Sequence, residues 1–198
     1  MHPVEAIKEF IKLRDDAAVI VGPTKNAGVL YNEGHQPATI YNMELGYASA
    51  IALGLALATP EQKVVALEGD GSMIAGIGVL STVALQSPSN LVILLFDNDT
   101  YGSIGEGDCE SVTASGLSLP NIARASGFDK VLEANDLETL GSKLAIAMAE
   151  AGPWLVYVKT DRYGPDLFLK PPLPGQDIVE SVVFFRREMM ARGYVHKD

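Results

Sequence analysis

The chain alternates between short apolar runs and longer segments in which apolar residues recur at helical spacing. Runs such as KVVALEG (63–69) and LVILLFDN (91–98) show little polar alternation, which is typical of strands buried on both faces. The segments between these runs predict helices. The predicted strands cover residues 17–22, 38–42, 63–69, 91–98, 129–134 and 154–160, and the predicted helices cover 3–15, 24–34, 44–58, 73–86, 119–126, 137–151 and 177–193.

This alternation of strands and helices predicts an α/β fold with a doubly wound, mainly parallel six-stranded sheet and helices on both faces. Residues 1–163 are expected to form the folded domain. Residues 164–198 are expected to form a proline-rich linker and a C-terminal helix that packs on this domain or on a partner. In sheets of this kind, ligands bind outside the carboxyl ends of the strands.

Two unusual loops, GDGS (69–72) and DNDTYGS (97–103), directly follow apolar strands. Free N–H groups where a helix begins after Asp70 could hold a phosphate, but the carboxylate of Asp70 would repel it unless a cation lay between them. Mg²⁺ suits that position, because it is held by few protein oxygens together with phosphate oxygens. Asn98 ends the next apolar strand and could supply a second oxygen. The alternative is an ordinary turn, because Asp-Gly is a common turn dipeptide.

The motif GDGS, followed after one helix and one strand by DN, resembles the diphosphate–Mg²⁺ motif of thiamine-diphosphate (ThDP) enzymes. The stretch ELGYASAIALGLALATPEQKVVALEGDGS is similar to the same region in their 2-oxo-acid decarboxylase branch. The resemblance implies the ThDP-binding fold, the cofactors ThDP and Mg²⁺, and three metal ligands, namely Asp70, Asn98 and the carbonyl oxygen of Thr100. It also implies that cofactor-binding residues include Met43, Leu45, Gly69, Gly71, Ser72, Tyr101, Gly102 and Ser103.

Two residues of MELG (43–46) receive catalytic roles from the same resemblance. Leu45 matches the bulky apolar residue that bends the cofactor, so that its own amine reaches the carbon that loses a proton. The carbonyl oxygen of Met43 would accept a hydrogen bond from the aminopyrimidine. The alternative for Leu45 is a core residue at the start of a helix.

The family's activating glutamate comes from a second domain, and the chain contains one α/β unit only. The resemblance therefore implies a separate pyrimidine-binding partner subunit, in a heterotetramer or a larger assembly. It is strongest to the beta subunit of sulfopyruvate decarboxylase and the matching part of phosphonopyruvate decarboxylase, which implies a lyase subunit that decarboxylates a 2-oxo acid. The alternatives are a carboligase or acyl-transfer subunit similar to acetolactate synthase, and a non-catalytic cofactor-binding or regulatory subunit.

Three further residues are candidates for substrate binding. Thr24 and Lys25 follow the first predicted strand, and Lys25 could bind a substrate anion. His35 lies in a predicted turn, and its ordinary pKa suits a proton shuttle. The alternative for Lys25 is a solvated loop lysine.

The composition of the chain limits the classes of partner that it could bind. A net charge of −10 argues against nucleic acid or an anionic membrane surface as a partner held by bulk electrostatics. The apolar stretch LGYASAIALGLALA is too short for a membrane span, and the amphipathic N-terminus does not resemble a signal peptide. The single cysteine excludes an internal disulfide. We therefore expect a cytoplasmic protein without a nucleic-acid or membrane partner.

Overall fold

The apolar strands form the centre of a parallel sheet, as their patterns predict. The structure, a computed structural model, describes residues 1–101, 109–163 and 175–194. The described residues form one six-stranded sheet in the order β2-β1-β3-β4-β6-β5, with every pairing parallel. The strands are β1 Ala18–Val21, β2 Thr39–Ile40, β3 Val64–Gly69, β4 Leu91–Asp97, β5 Val131–Ala134 and β6 Trp154–Lys159.

The helices cover both faces of this sheet. They are α1 Pro3–Leu13, α2 Asn26–Gly34, α3 Ala48–Ala58, α4 Asp70–Ala75, α5 Val79–Gln86, α6 Leu119–Ala125, α7 Leu137–Ala149 and α8 Ile178–Ala191. One apolar core packs under α1, α2 and α7, and the other under α3, α5, α6 and α8. Successive residues of β1 alternate between the two cores, because side chains of a strand point to opposite faces. The predicted doubly wound fold is confirmed, and its sheet is entirely parallel.

Two predicted helices differ from the observed ones. The helix predicted over 44–58 begins at Ala48, and residues 45–47 form a turn. The single helix predicted over 73–86 is wrong, because the chain forms α4 directly after β3 and then breaks before α5. The break lies at Gly76, where a Cβ atom would overlap the carbonyl oxygen of Gly46. Close backbone contact therefore interrupts a helix that the apolar spacing alone predicts to be continuous.

The C-terminal helix α8 packs on its own domain. Phe185 and Met189 are buried in the second core, and the hydroxyl of Ser181 accepts a hydrogen bond from the backbone N–H of Tyr41 at 3.2 Å. The linker predicted before it lies largely outside the described residues. Across the described ranges, no helix has both the length and the apolar character required to cross a bilayer.

Candidate active site

An open cavity lies at the carboxyl edge of the sheet, and its empty space is about 530 Å³ when the solvent at its mouth is included. It lies where β3 and β4 end side by side, with Gly69 in register with Phe96. This edge is the place where a doubly wound sheet binds ligands. The predicted residues that line the cavity are Thr24, Lys25, Leu45, Gly69, Asp70, Gly71, Ser72, Asn98, Thr100 and Tyr101. Gly102 and Ser103, which were also predicted, lie outside the described residues.

Asp70 is the most unusual side chain at this cavity. It is only 2% exposed, and its Oδ2 accepts hydrogen bonds from the hydroxyls of Ser111 at 2.5 Å and Thr113 at 3.1 Å. Burial raises the pKa of Asp70 to about 6, and the nearby charge of Asp97 adds to this shift against the opposing hydroxyl bonds. Among the described residues no cationic side chain pairs with Asp70. A buried carboxylate without a cation is costly, so this position fits a bound metal ion.

The turn after β4 places the second candidate ligand. Asn98 is half-buried, and its Oδ1 accepts from the backbone N–H and the hydroxyl of Thr100, both at 3.1 Å. Asp99 adopts a left-handed backbone with a φ of 63°, and its N–H donates to Asp97 Oδ1 at 2.9 Å. The Nζ of Lys159 lies 2.5 Å from Asp99 and 3.3 Å from Asp97. These bonds hold the turn in place. A cation bound to Asn98 Oδ1 would replace one of the two hydrogen bonds that this oxygen accepts from Thr100.

The donor set at the cavity matches one class of metal ion. The described part of the chain contains no group of three or more His, Cys, Asp or Glu side chains that could hold a metal. The candidates are instead one carboxylate, one amide and one backbone carbonyl. Such a small all-oxygen set suits Mg²⁺, which keeps several waters and takes further oxygens from phosphates.

Gly71 and Tyr101 form one wall of the cavity. A Cβ atom on Gly71 would overlap the ring of Tyr101, so only glycine lets the ring lie over this backbone. The N–H of Tyr101 donates to the carbonyl oxygen of Cys109 at 2.8 Å, which ties the two ends of the loop together.

The turn that carries Leu45 is fixed against α4. The N–H of Gly46 donates to the hydroxyl of Ser72 at 3.0 Å, and the N–H of Met43 donates to the carbonyl oxygen of Val21 at 2.8 Å. Leu45 is half-buried and lies at the cavity wall. Its position next to Asp70 follows from packing between distant parts of the chain.

A buried glutamate anchors the start of α3 to the end of β3. The Oε1 of Glu68 accepts from the backbone N–H of Ser49 at 2.9 Å and from its hydroxyl at 3.1 Å. Burial raises the pKa of Glu68, and hydrogen bonds from Ser72 and Ser49 oppose that shift. This glutamate therefore acts as a structural tie beneath the turn.

The loop after β1 also lines the cavity. Lys25 lies with its Nζ 5.3 Å from the centre of the Tyr163 ring, and the hydroxyl of Tyr163 donates to Asn26 Oδ1. Both Asn26 and Tyr163 are buried and line the cavity, as does Thr160. Sequence reasoning missed Tyr163 and Thr160, because they follow β6 without a motif and only the sheet order brings them here.

His35 is not brought to the cavity. It lies in the connection from α2 to β2, at the amino edge of the sheet, where its Nδ1 is 3.0 Å from the hydroxyl of Tyr41. Its ring also contacts Tyr31, and burial lowers the pKa of His35. The predicted substrate contact of His35 is therefore not supported, since it occupies the opposite edge of a parallel sheet from Asp70.

Comparisons with known proteins agree with this geometry. The family model described as "Thiamine pyrophosphate enzyme, C-terminal TPP binding domain" matches residues 28–158. The sulfopyruvate decarboxylase subunit beta of Methanothermobacter thermautotrophicus is 33% identical over 190 residues, covering 96% of this chain and 96% of that relative. The phosphonopyruvate decarboxylase of Streptomyces viridochromogenes is 36% identical over 148 residues, covering 74% of this chain but only 36% of that relative.

A solved structure supports the fold. The thiamine diphosphate-dependent 4-hydroxybenzoylformate decarboxylase of Rhodococcus jostii RHA1 superposes with a TM-score of 0.69 at 23% identity. The superposition covers 81% of this chain and 33% of that one. The chain thus matches nearly all of one relative and about a third of two longer ones.

Proposed function

We propose a function from the premise that this chain belongs to the thiamine pyrophosphate enzyme family, whose C-terminal TPP binding domain it contains. The chain is the ThDP- and Mg²⁺-binding subunit of a two-subunit lyase that decarboxylates a 2-oxo acid. The carrying observation is a buried Asp70 without a cationic partner among the described residues, at one cavity with Asn98, Thr100 and Leu45. A Mg²⁺ ion bound here together with the diphosphate would supply the positive charge that this carboxylate lacks.

The residues present fit the cofactor in three places. Asp70, the side chain of Asn98 and the carbonyl oxygen of Thr100 would hold Mg²⁺, and Gly71 and Ser72 would bind the diphosphate. Leu45 would supply apolar surface to the cofactor rings, and the carbonyl oxygen of Met43 would accept a hydrogen bond from the cofactor's amine. When bound, ThDP supplies the electron sink for the loss of CO₂. The protein's part is to bind it, to orient it and to exclude water.

The substrate proposal rests on the relatives and on one cation. The relatives are named for sulfopyruvate and phosphonopyruvate, both of which carry a second anionic group. Lys25 lines the same cavity as Asp70, together with Thr24. We assign Lys25 to the sulfonate or phosphonate of the substrate, because an ammonium group binds such an anion as a point charge.

The partner proposal rests on the name of a relative and on an exposed apolar face. The sulfopyruvate decarboxylase relative that matches 96% of this chain over 96% of its own length is named as subunit beta, and that name implies a partner subunit. Helix α3 contains no charged residue, and Ile51 and Leu57 of this helix are exposed together with Tyr47 just before it. The neighbouring helix α5 exposes Leu85 and also lacks charge. We assign these helix faces to a pyrimidine-binding subunit, since uncharged apolar surface of this extent is typical of an interface.

Calorimetry tests the cofactor site. Wild-type chain is titrated with ThDP in the presence of Mg²⁺ and in the presence of a chelator, and the same titrations are made with Asp70→Asn. We expect binding only with Mg²⁺ and a large loss of affinity in the variant. Metal-independent binding that Asp70→Asn leaves unaltered would show that the site is wrongly assigned.

Reconstitution tests the activity and the interface. The chain is mixed with a candidate pyrimidine-binding subunit, and CO₂ release from sulfopyruvate, phosphonopyruvate and pyruvate is measured. Ile51→Glu and Leu57→Glu should abolish the complex in sedimentation, whereas the control Val179→Glu changes an exposed valine of α8 and should not. Full activity of the isolated chain would refute the two-subunit assignment.

A further inference from the structure

Two hydroxyl side chains lie behind Asp70, on a segment that the sequence motifs do not include. Both side chains are buried, since Ser111 is 2% exposed and Thr113 is 8% exposed. Ser111 Oγ donates to Asp70 Oδ2 at 2.5 Å, and Thr113 Oγ1 lies 3.1 Å from the same oxygen. Among the described residues both hydroxyls therefore meet one carboxylate oxygen, Oδ2, and no side-chain hydrogen bond reaches the other, Oδ1, although the backbone N–H of Gly71 also bonds to this carboxyl group.

Thr113 also connects Asp70 to a second buried carboxylate. Its Oγ1 lies 3.0 Å from Asp97 Oδ1 and 2.6 Å from the hydroxyl of Ser111. Asp97 has donors of its own, namely the hydroxyl of Tyr157 at 2.6 Å and the Nζ of Lys159 at 3.3 Å. These donors from β6 hold the carboxylate of Asp97 in place. Because the hydroxyl of Thr113 contacts both carboxylates, it positions Asp70 relative to Asp97.

The hydroxyl cluster contains fewer protons than close oxygen pairs. Ser111 and Thr113 bring one hydroxyl proton each, but the cluster contains four close oxygen pairs. With both carboxylates ionised, two of these pairs contact without a proton between them. A cation at Asp70 Oδ1 draws charge away from Oδ2 and relieves this repulsion.

The backbone holds this segment independently of the two hydroxyls. The N–H of Ser111 donates to the carbonyl oxygen of Asp99 at 3.0 Å, and Thr100 pairs with Glu110 in an isolated bridge. The residues that follow form a short 3₁₀ turn, Val112–Ser115. Removal of one hydroxyl therefore leaves the path of the chain intact.

We propose that Ser111 and Thr113 are positioning residues that bind Asp70 Oδ2 and thereby present Oδ1 to the divalent cation. The inference rests on the proposed function, because it deepens the role of Asp70 at the same site. Groups that orient a metal-binding carboxylate commonly change metal affinity by about 10- to 100-fold when they are removed. Neither residue touches the cofactor in this assignment, so their effect passes through Asp70 alone.

The test compares metal binding with stability in full-length variants. Thr113→Val keeps the side-chain shape without the hydroxyl, Ser111→Ala removes the other hydroxyl, and Thr113→Ser restores the lost donor. The matched control is Thr59→Val, which removes a buried hydroxyl that bonds only to the carbonyl oxygen of Leu55 at 2.8 Å. Mg²⁺ affinity is measured by calorimetry at saturating ThDP, and Mn²⁺ binding by electron paramagnetic resonance.

We expect Thr113→Val and Ser111→Ala to raise the metal dissociation constant by about 10- to 100-fold. Thr113→Ser should return to the wild-type range, and Thr59→Val should bind metal as the wild type does. If both hydroxyl deletions bind metal normally while Asp70→Asn does not, the positioning role is refuted and the proposed function stands. If the wild type itself shows no metal-dependent ThDP binding, the proposed function fails and the inference fails with it. If Thr113→Val does not fold, Ser111→Ala decides the outcome.

Discussion

Substitution of Gly46 by alanine should destabilise the protein and disturb the cavity together. Gly46 adopts a φ of +84°, in the left-handed region, and a Cβ atom added to it would lie 2.9 Å from the backbone nitrogen of Gly76 and 3.2 Å from the carbonyl carbon of Ala75. These neighbours are backbone atoms of α4 and the residue after it. They cannot move aside as the end of a flexible side chain can.

The magnitude follows from two contributions. A left-handed backbone costs an alanine about 1–2 kcal/mol, and forced overpacking costs about 1–3 kcal/mol. Their sum is a loss of about 2–5 kcal/mol in the free energy of unfolding. For a chain of this size, that loss lowers Tm by roughly 4–20 °C. Because Gly46 follows Leu45 and bonds to Ser72, the same shift should also weaken ThDP binding.

Gly54 provides the matched control within the neighbouring helix. A Cβ atom there meets nothing within 4 Å, and Gly54 lies inside α3. Gly54→Ala should therefore stabilise the isolated chain by about 0.5–1 kcal/mol, since alanine is the better helix residue. Both substitutions change the unfolded chain alike, so their difference reports on the native state.

Thermal and urea unfolding followed by circular dichroism measure both variants, and calorimetry measures ThDP binding. If Gly46→Ala unfolds within about 0.5 kcal/mol of the wild type, a typical value for a neutral surface change, the close contact between Gly46 and Gly76 does not exist in solution. The explanation for the break between α4 and α5 would then fail as well.

Three further predictions concern the cavity. Lys25→Met in the reconstituted enzyme should raise KM for sulfopyruvate by about 10- to 100-fold, with a smaller change in KM for pyruvate. The control Lys12→Met replaces an exposed lysine and should change neither KM. Equal increases in KM for both substrates would contradict a contact between Lys25 and the sulfonate. Leu45→Ala should weaken ThDP binding by about 10- to 100-fold, which corresponds to burial of one leucine side chain. The urea midpoint should change little. If calorimetry shows unchanged affinity, Leu45 does not contact the cofactor. Burial raises the pKa of Glu68, so the carboxyl group stays protonated to a higher pH in the folded chain than in the unfolded chain. The free energy of unfolding therefore falls as pH rises above the ordinary glutamate pKa. Glu68→Gln should remove this contribution to the pH dependence of the free energy of unfolding. The urea midpoint of the variant should therefore rise relative to that of the wild type as pH increases. If the two midpoints change with pH in parallel, the effect of Glu68 is disproved.

The sequence alone determined the fold class and the neighbouring positions of Asp70 and Asn98. Uninterrupted apolar runs such as LVILLFDN demand burial on both faces, and only a parallel sheet between helices provides it. One helix and one strand separate Asp70 from Asn98, so right-handed crossovers place their strands side by side, as β3 and β4 are. The periodicity of apolar residues along the chain predicts these features, because it indicates which faces of each strand and helix are buried on folding.

Only the tertiary structure decided which other residues meet at the cavity. Ser111, Thr113 and Tyr163 lie in segments without periodicity, and their approach to Asp70 or Lys25 depends on sheet order and loop path. Likewise, apolar spacing predicted one helix where contact between two glycines makes two, and it could not show that His35 lies at the opposite edge. A local pattern encodes which residues are buried, whereas the contacts between distant segments depend on how the whole chain packs.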